Sequence, residues 1–355
     1  MGAGYCFAGA LVAALAVAGL ATPVSARAPA PRPGTLETYR DWTIGCDNRG
    51  RCEAVSLLPE GAASPDDPLS LHIVRNAGAQ SEVEVRVGLP GRGRREVAFF
   101  VDGRRIATAA AVDGDVRLRG PQASALALAM ARGAGMQVRG GTKTLGRPSL
   151  SGSAAALRYM DAKQGRAGTT TALVATGALG PGAVRPVPAG PTVRRAPVPV
   201  AARAPAALWR EELAELGKLT GCADEMRDAS APEQHRLSNT ETLILIPCGA
   251  GAYNATFSPV IATGAAGRRA FRFAAFDYQP GWGGDGGPPL LVNARFRPDA
   301  SRLESFAKGR GLGDCGGSES YVWDGARFRL VEATAMAQCR GARGWIRTWQ
   351  AQLID

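Results

Sequence analysis

Residues 41–55 read DWTIGCDNRGRCEAV. Two strand-prone runs, Asp41-Trp42-Thr43-Ile44 and Cys52-Glu53-Ala54-Val55, flank Asp47-Asn48-Arg49-Gly50, a stretch of turn formers. Strands joined by such a turn bring the β-carbons of Cys46 and Cys52 within bridging distance. The expectation is therefore a β-rich fold braced by disulfides. Six of the seven cysteines fall as sequence-local pairs: Cys46 with Cys52, Cys222 with Cys248, and Cys315 with Cys339. An even set in an exported chain reads as a disulfide framework. Six cysteines can pair in many ways, so the local pairing is an expectation and not a deduction.

Export is read from the N-terminus. No charged side chain occurs from Gly2 to Ala26, Leu11 to Leu20 is an apolar core, and Val24-Ser25-Ala26 offers small residues for cleavage. Residues 1–26 are expected to be a signal peptide that carries Cys6 away. The segment lacks a basic residue before its core and is long enough to span a bilayer, so a retained anchor is the alternative. No later stretch is apolar enough to cross a membrane, and the mature chain is expected not to span one. Periplasmic residence is expected, with secretion or N-terminal anchoring as alternatives. The net charge of +11 is carried almost wholly by arginine. A basic exported protein could sit on anionic envelope polymers. No run of like charge exceeds a few residues, however, and arginine with abundant Ala, Gly and Pro is what a GC-rich genome writes on any surface. A nucleic-acid partner is not expected.

Composition divides the rest. Residues 27–36 form an extended leader and 37–175 a β-rich domain. Residues 176–206 form a Pro/Ala-rich linker of polyproline character, and 207–355 an α+β domain. The expected class is α+β and β-rich: two small antiparallel-sheet domains, each with one or two helices. Ser70–Arg75 and Glu82–Val87 alternate as half-buried strands. Residues 98–107 form a hairpin about Asp102-Gly103, suited to a type I′ turn, and a second Asp-Gly hairpin is expected over 323–328. Helices are expected at 124–132, 153–163 and 208–226. Trp345 and Trp349 are expected to form a core-facing pair, and Tyr253 to pack beside Cys248.

These motifs resemble a known family. Asp41-Trp42…Cys46-Asp47-Asn48…Cys52, Pro247-Cys248…Ala252-Tyr253-Asn254, Gly311-Leu312-Gly313-Asp314-Cys315-Gly316 and Trp323-Asp324-Gly325…Phe328…Leu330 before Cys339 are similar to exported proteobacterial proteins carrying domain of unknown function 1176. The resemblance covers nearly all of the mature chain and implies six cysteines and a similar length, but no catalytic residues. The opening Asp-Trp with a nearby Cys also resembles the invasion-associated locus B proteins, which implies an envelope role.

Catalytic signatures are sparse. His72 and His235 are the only histidines, no Gly-x-Ser-x-Gly elbow occurs, and the cysteines are better used in bridges than on zinc. No metal site and no cofactor are expected. Catalytic carboxylates need no signature, and Asp277, Asp285, Asp314 and Asp324 all fall near turns, where aspartate usually caps backbone. Two candidate binding features stand out: Trp282, within the glycine-rich 279–289, and the group Arg92, Arg94, Arg95, Arg104 and Arg105. The favoured reading is a non-enzymatic envelope module binding a protein partner or an anionic glycan. A carboxylate-dependent envelope glycan hydrolase and a secreted host-interaction factor are the alternatives.

Overall fold

The computed structural model describes residues 1–2, 29–63, 69–197, 204–228, 231–280 and 288–354. The expected signal segment lies outside the described residues except for its first two. The hairpin of the opening motif forms as expected: β2 (Trp42–Cys46) and β3 (Cys52–Ser56) pair antiparallel with Cys46 opposite Cys52, and the two are bridged. Around it β1 (Leu36–Tyr39), β4 (Ser70–Arg75), β5 (Val83–Gly88), β6 (Arg94–Val101), β7 (Arg104–Val112), β8 (Asp115–Arg119), β9 (Met136–Gly140) and β10 (Lys143–Gly146) complete one ten-stranded sheet. Its order is β1-β2-β3-β4-β5-β8-β7-β6-β9-β10. Asp102-Gly103 turns β6 into β7 with φ of 48° and 79°, and Asp113-Gly114 turns β7 into β8 with 49° and 87°. Positive φ at both central residues is the type I′ requirement. β7 and β8 pair only at Val112 and Asp115, so the sheet folds at that corner. Helix α1 (Gly120–Arg132) packs across the corner, and α2 (Ser153–Lys163) covers β2 and β3. Helix α1 starts four residues before its expected onset because Pro121 is tolerated in a first turn.

Leu71, Ile73, Val85, Val87, Phe99 and Leu126 form the core on one face of this sheet. Its other face is polar, and cross-strand register aligns that face in rows: His72 opposite Arg86 opposite Arg117, and Ser70 opposite Gly88 opposite Asp115. Strand β4 is buried along its whole length, on both faces, where the alternation had predicted a half-buried strand. The reason is that the C-terminal half covers the polar face.

That half begins with β11 (Thr192–Arg194), within the segment expected as linker. α3 (Arg210–Thr220) and α4 (Ala223–Asp228) follow in place of the single helix expected over 208–226. The break is Gly221, in the left-handed region at φ 73°, whose N–H closes onto Gly217 O. β12 (Glu233–Arg236), β13 (Glu241–Ala250), β14 (Ala255–Thr263) and β15 (Ala270–Phe273) form a sheet in that order, with β16 (Leu291–Val292) also beside β14. β17 (Arg295–Arg297), β18 (Arg302–Lys308), β19 (Gly316–Trp323), β20 (Phe328–Met336) and β21 (Ile346–Gln350) form another. Leu243, Leu245, Ile261, Leu303, Tyr321, Trp323 and Phe328 make a second core from the two sheets. β22 (Gln352–Ile354) pairs in parallel with β11. Cys222–Cys248 ties the α3–α4 corner to β13, and Cys315–Cys339 clamps the ends of the β19–β20 hairpin. All three bridges are the local ones expected. The two C-terminal tryptophans do not pair: Trp349 packs with the second core, while Trp345 joins a small cluster with Val55, Leu57, Met336 and Ile346. Among the described residues no helix is long and apolar enough to cross a membrane.

Burial pushes the Glu319 carboxyl on β19 up to about 7, a rise that a hydrogen bond from Ser305 only partly offsets. A raised carboxyl favours the protonated folded state, so its stabilisation is complete below about 4.5 and is lost as pH rises through 7. Glu319→Gln should therefore flatten the stability profile between pH 4.5 and 8 and make the protein more stable than wild type at pH 8, by roughly 3 kcal/mol. Urea unfolding at the two pH values checks this.

Candidate functional site

The site is built outward from the bridged turn. Asp47 caps its own loop, its Oδ1 accepting from Arg49 N at 2.9 Å and Arg51 N at 3.0 Å, while Oδ2 accepts from Arg347 Nε on β21 at 3.0 Å. Asn48 pairs with the Gln350 backbone in both directions, donating to its carbonyl at 2.9 Å and accepting from its N–H at 2.8 Å. The loop after Cys339 is seated in the same way. Arg340 donates to Leu58 O and Arg40 O and pairs with Asp41. Arg343 Nη1 donates to Leu89 O at 3.0 Å. Gly88 gives this last side chain its course, since a β-carbon there would lie 3.3 Å from the Arg343 Cδ and guanidinium.

Between these anchors β21 and β20 stand off the polar face of the large sheet and leave a cleft of about 510 Å³. Arg51, Arg86, Arg117, Arg343 and Arg347 line it, with Glu53, Asp115 and Glu332, and with His72, Thr334, Gly344 and Trp345. Several of the guanidinium groups are held by carboxylates: Arg51 by Glu53 and Arg86 by Glu84, both at 2.7 Å, and Arg117 more loosely by Glu84 at 3.8 Å. Arg51 Nη1 is buried without a hydrogen-bond partner. Burial would raise the Glu53 carboxyl, but hydrogen bonding and charge from His72 and Arg51 outweigh it and hold the group at about 2.

The floor of the cleft holds an arrangement that no motif announced. His72 Nδ1 lies 2.7 Å from Glu53 Oε1, and His72 Nε2 lies 3.2 Å from Ser70 Oγ. The order of groups is that of a serine-nucleophile relay. Ser70 is nonetheless fully buried and does not line the cleft, and both imidazole nitrogens are engaged within the protein. The relay therefore fixes the floor and offers no exposed nucleophile. Its only trace in the sequence is the Ser-x-His spacing on β4, with Glu53 brought alongside by strand pairing.

The residues singled out from sequence lie elsewhere. Arg92, Arg94 and Arg95 sit at one end of the β6–β7 hairpin and Arg104 and Arg105 at the other, so the chain does not gather them into one group. Trp282 and Asp285 lie outside the described residues. Asp277 accepts from Arg329 Nε at 2.7 Å and from Leu330 N at 2.8 Å. Asp314 holds Arg310 and Gly341 N, and Asp324 caps Ala326 N and Arg327 N within its hairpin. These three carboxylates are engaged in contacts within the fold. Tyr253 reaches the loop before Cys315, its Oη donating to Gly309 O at 3.3 Å.

The sequence model of the family described as "Protein of unknown function (DUF1176)" matches residues 36–352, which takes in both the sheet face and the loop that closes the cleft. The chain belongs to this family. It is similar to the uncharacterized protein YpfG of Escherichia coli (strain K12), 28% identical over 351 residues, covering 91% of this chain and 93% of that protein. No solved structure matches the chain. For this family member the cleft is thus a feature of the matched region itself.

With its folded value near 2, Glu53 stabilises the protein above about pH 4.5, and that contribution is lost as pH falls toward 2. Glu53→Gln should cost roughly 3 kcal/mol at pH 7 and show a shallower loss between pH 4.5 and 3, both read by urea unfolding. Asp47→Ala, which removes two backbone caps and the Arg347 contact, should cost about 1–3 kcal/mol at neutral pH, with Arg347 then less ordered by side-chain NMR.

Proposed function

We propose that this protein is an exported cell-envelope binding module that holds an anionic ligand in the cleft between the polar sheet face and β20–β21. The observation that carries this reading is the convergence of five arginines, from both halves of the chain, on one concave surface. Guanidinium groups present paired donors that match carboxylate and phosphate oxygens, and several of them on one concave surface can act on one ligand together. Three disulfides suit an oxidising compartment, and the uncharged N-terminal stretch supports export into the periplasm. The engagement of His72, Asp277, Asp314 and Asp324 in internal contacts supports binding over turnover.

The test is co-sedimentation of the mature protein with purified sacculi and, separately, with outer-membrane vesicles, at low and near-physiological salt. Retention on one of them at the higher salt is expected. Arg117→Gln with Arg343→Gln should weaken it about tenfold or more, and Lys218→Gln on the far helix α3 should leave it unchanged. Paired neutralisations of Arg92 with Arg94, and of Arg104 with Arg105, report whether either hairpin end contributes. Retention lost with salt, or equal in all variants, would remove the cleft from consideration.

A further inference from the structure

The lining of the cleft is not that of a site for a bare inorganic anion. Beside the five arginines it carries three carboxylates, and two of them, Asp115 and Glu332, are exposed. Those charges repel a small anion. They are useful to a ligand that also bears hydroxyl groups, because a carboxylate accepts from hydroxyls while a guanidinium donates to them. Thr334 adds a hydroxyl that shares one hydrogen bond with Ser318 Oγ at 3.0 Å and keeps accepting capacity for a ligand hydroxyl.

One wall is aromatic. Trp345 is among the residues that line the cleft, and its indole is stacked on Phe306 with centroids 4.5 Å apart and planes 6° from parallel. Phe306 is one of the few exposed large apolar side chains among the described residues. The stack holds the indole in a fixed orientation beside the arginines, while Gly344 before it, at φ 102°, adds no side chain to the opening. A rigid aromatic plane beside hydrogen-bonding groups suits a ligand with one apolar face and a polar rim. The C–H face of a pyranose ring is such a face, and its hydroxyls are such a rim. The volume of about 510 Å³ falls within the range of small-molecule sites.

We infer that the ligand is an acidic saccharide: a sugar ring packed against Trp345, with its anionic substituent among Arg86, Arg117 and Arg343 and its hydroxyls shared with Asp115, Glu332 and Thr334. This deepens, and rests on, the reading of the cleft as an anion site. The shared chemistry covers a carboxylate-bearing or a phosphate-bearing sugar, and the experiment separates them.

The mature protein is titrated calorimetrically with the disaccharide of N-acetylglucosamine and N-acetylmuramic acid, with glucosamine 6-phosphate, with neutral chitobiose, and with citrate and inorganic phosphate. One or both acidic sugars should bind, and whichever binds identifies the anionic group. Chitobiose should bind at least about tenfold more weakly. Arg117→Gln, on an exposed strand position, should weaken acidic-sugar binding about tenfold, and Trp345→Leu comparably. If Trp345→Leu does not fold, the wild-type Trp345 indole N–H resonance serves instead, since it should shift on titration with the acidic sugar and stay in place with citrate. Citrate or phosphate binding as tightly as the sugars, sensitive to Arg117→Gln but leaving the indole resonance unmoved, would overturn the saccharide assignment and leave the anion site standing. Chitobiose binding equal to that of the acidic sugars would overturn the assignment of charge. Binding of none of the five probes would overturn both readings of the cleft.

Discussion

The carboxylate of Asp47 is the contact on which the cleft depends. It sits in a turn whose ends are joined by the Cys46–Cys52 bridge, so the group that caps the turn is also delivered, in a fixed direction, to Arg347 of β21. Asn48, one residue on, fixes the register of the same strand through Gln350. A buried ion pair taken alone is weak support for stability. Here the pair is one member of a hydrogen-bonded set that spans two sheets, and its role is to fix how the two faces stand relative to each other.

From that registration follows the character of the surface between them. A half-buried antiparallel sheet ordinarily turns its polar face to water. In this fold part of that face is roofed by β20 and β21, so ions that would be exposed and weakly coupled are brought close in a less solvated space. Burial beneath the roof opposes the charge on Glu53, and its floor neighbours His72 and Arg51 outweigh that cost through hydrogen bonds and charge. Arg51 Nη1 is buried there without a hydrogen-bond partner.

Much of the scaffold was legible in the sequence. The Asp-Gly turns need left-handed φ that few other dipeptides provide, the three cysteine pairs are local, and helix 153–163 has clear ends. What was not legible is long-range. Alternation on β4 and β5 marks His72, Glu84 and Arg86 as sharing a face, but says nothing about what lies opposite that face, so β4 read as half-buried. The arginines singled out from sequence, Arg92, Arg94 and Arg95 and then Arg104 and Arg105, are close in the chain but separated by the length of a hairpin. Arg51, Arg86, Arg117, Arg343 and Arg347 are scattered in the chain and meet only because sheet register and the Asp47 anchor bring them together. Sequence proximity was the wrong guide to charge clustering. Trp345 was misread for a related reason: a spacing of four suits a helix, and the chain there enters an extended strand beside a different cluster.

The parallel pairing of β11 with β22 bears on the order in which the molecule can be completed during synthesis. Strands β4, β5 and β8 leave the ribosome early and can pair among themselves, yet the roof of the cleft and the strand that latches it emerge only near the end of the described chain. Until then the row of His72, Arg86 and Arg117 is an open, charged sheet face with nothing above it. A nascent or prematurely ended chain would thus lack the lining that Glu332, Thr334, Arg343, Trp345 and Arg347 supply, and the cleft is complete only with the arrival of the last strands.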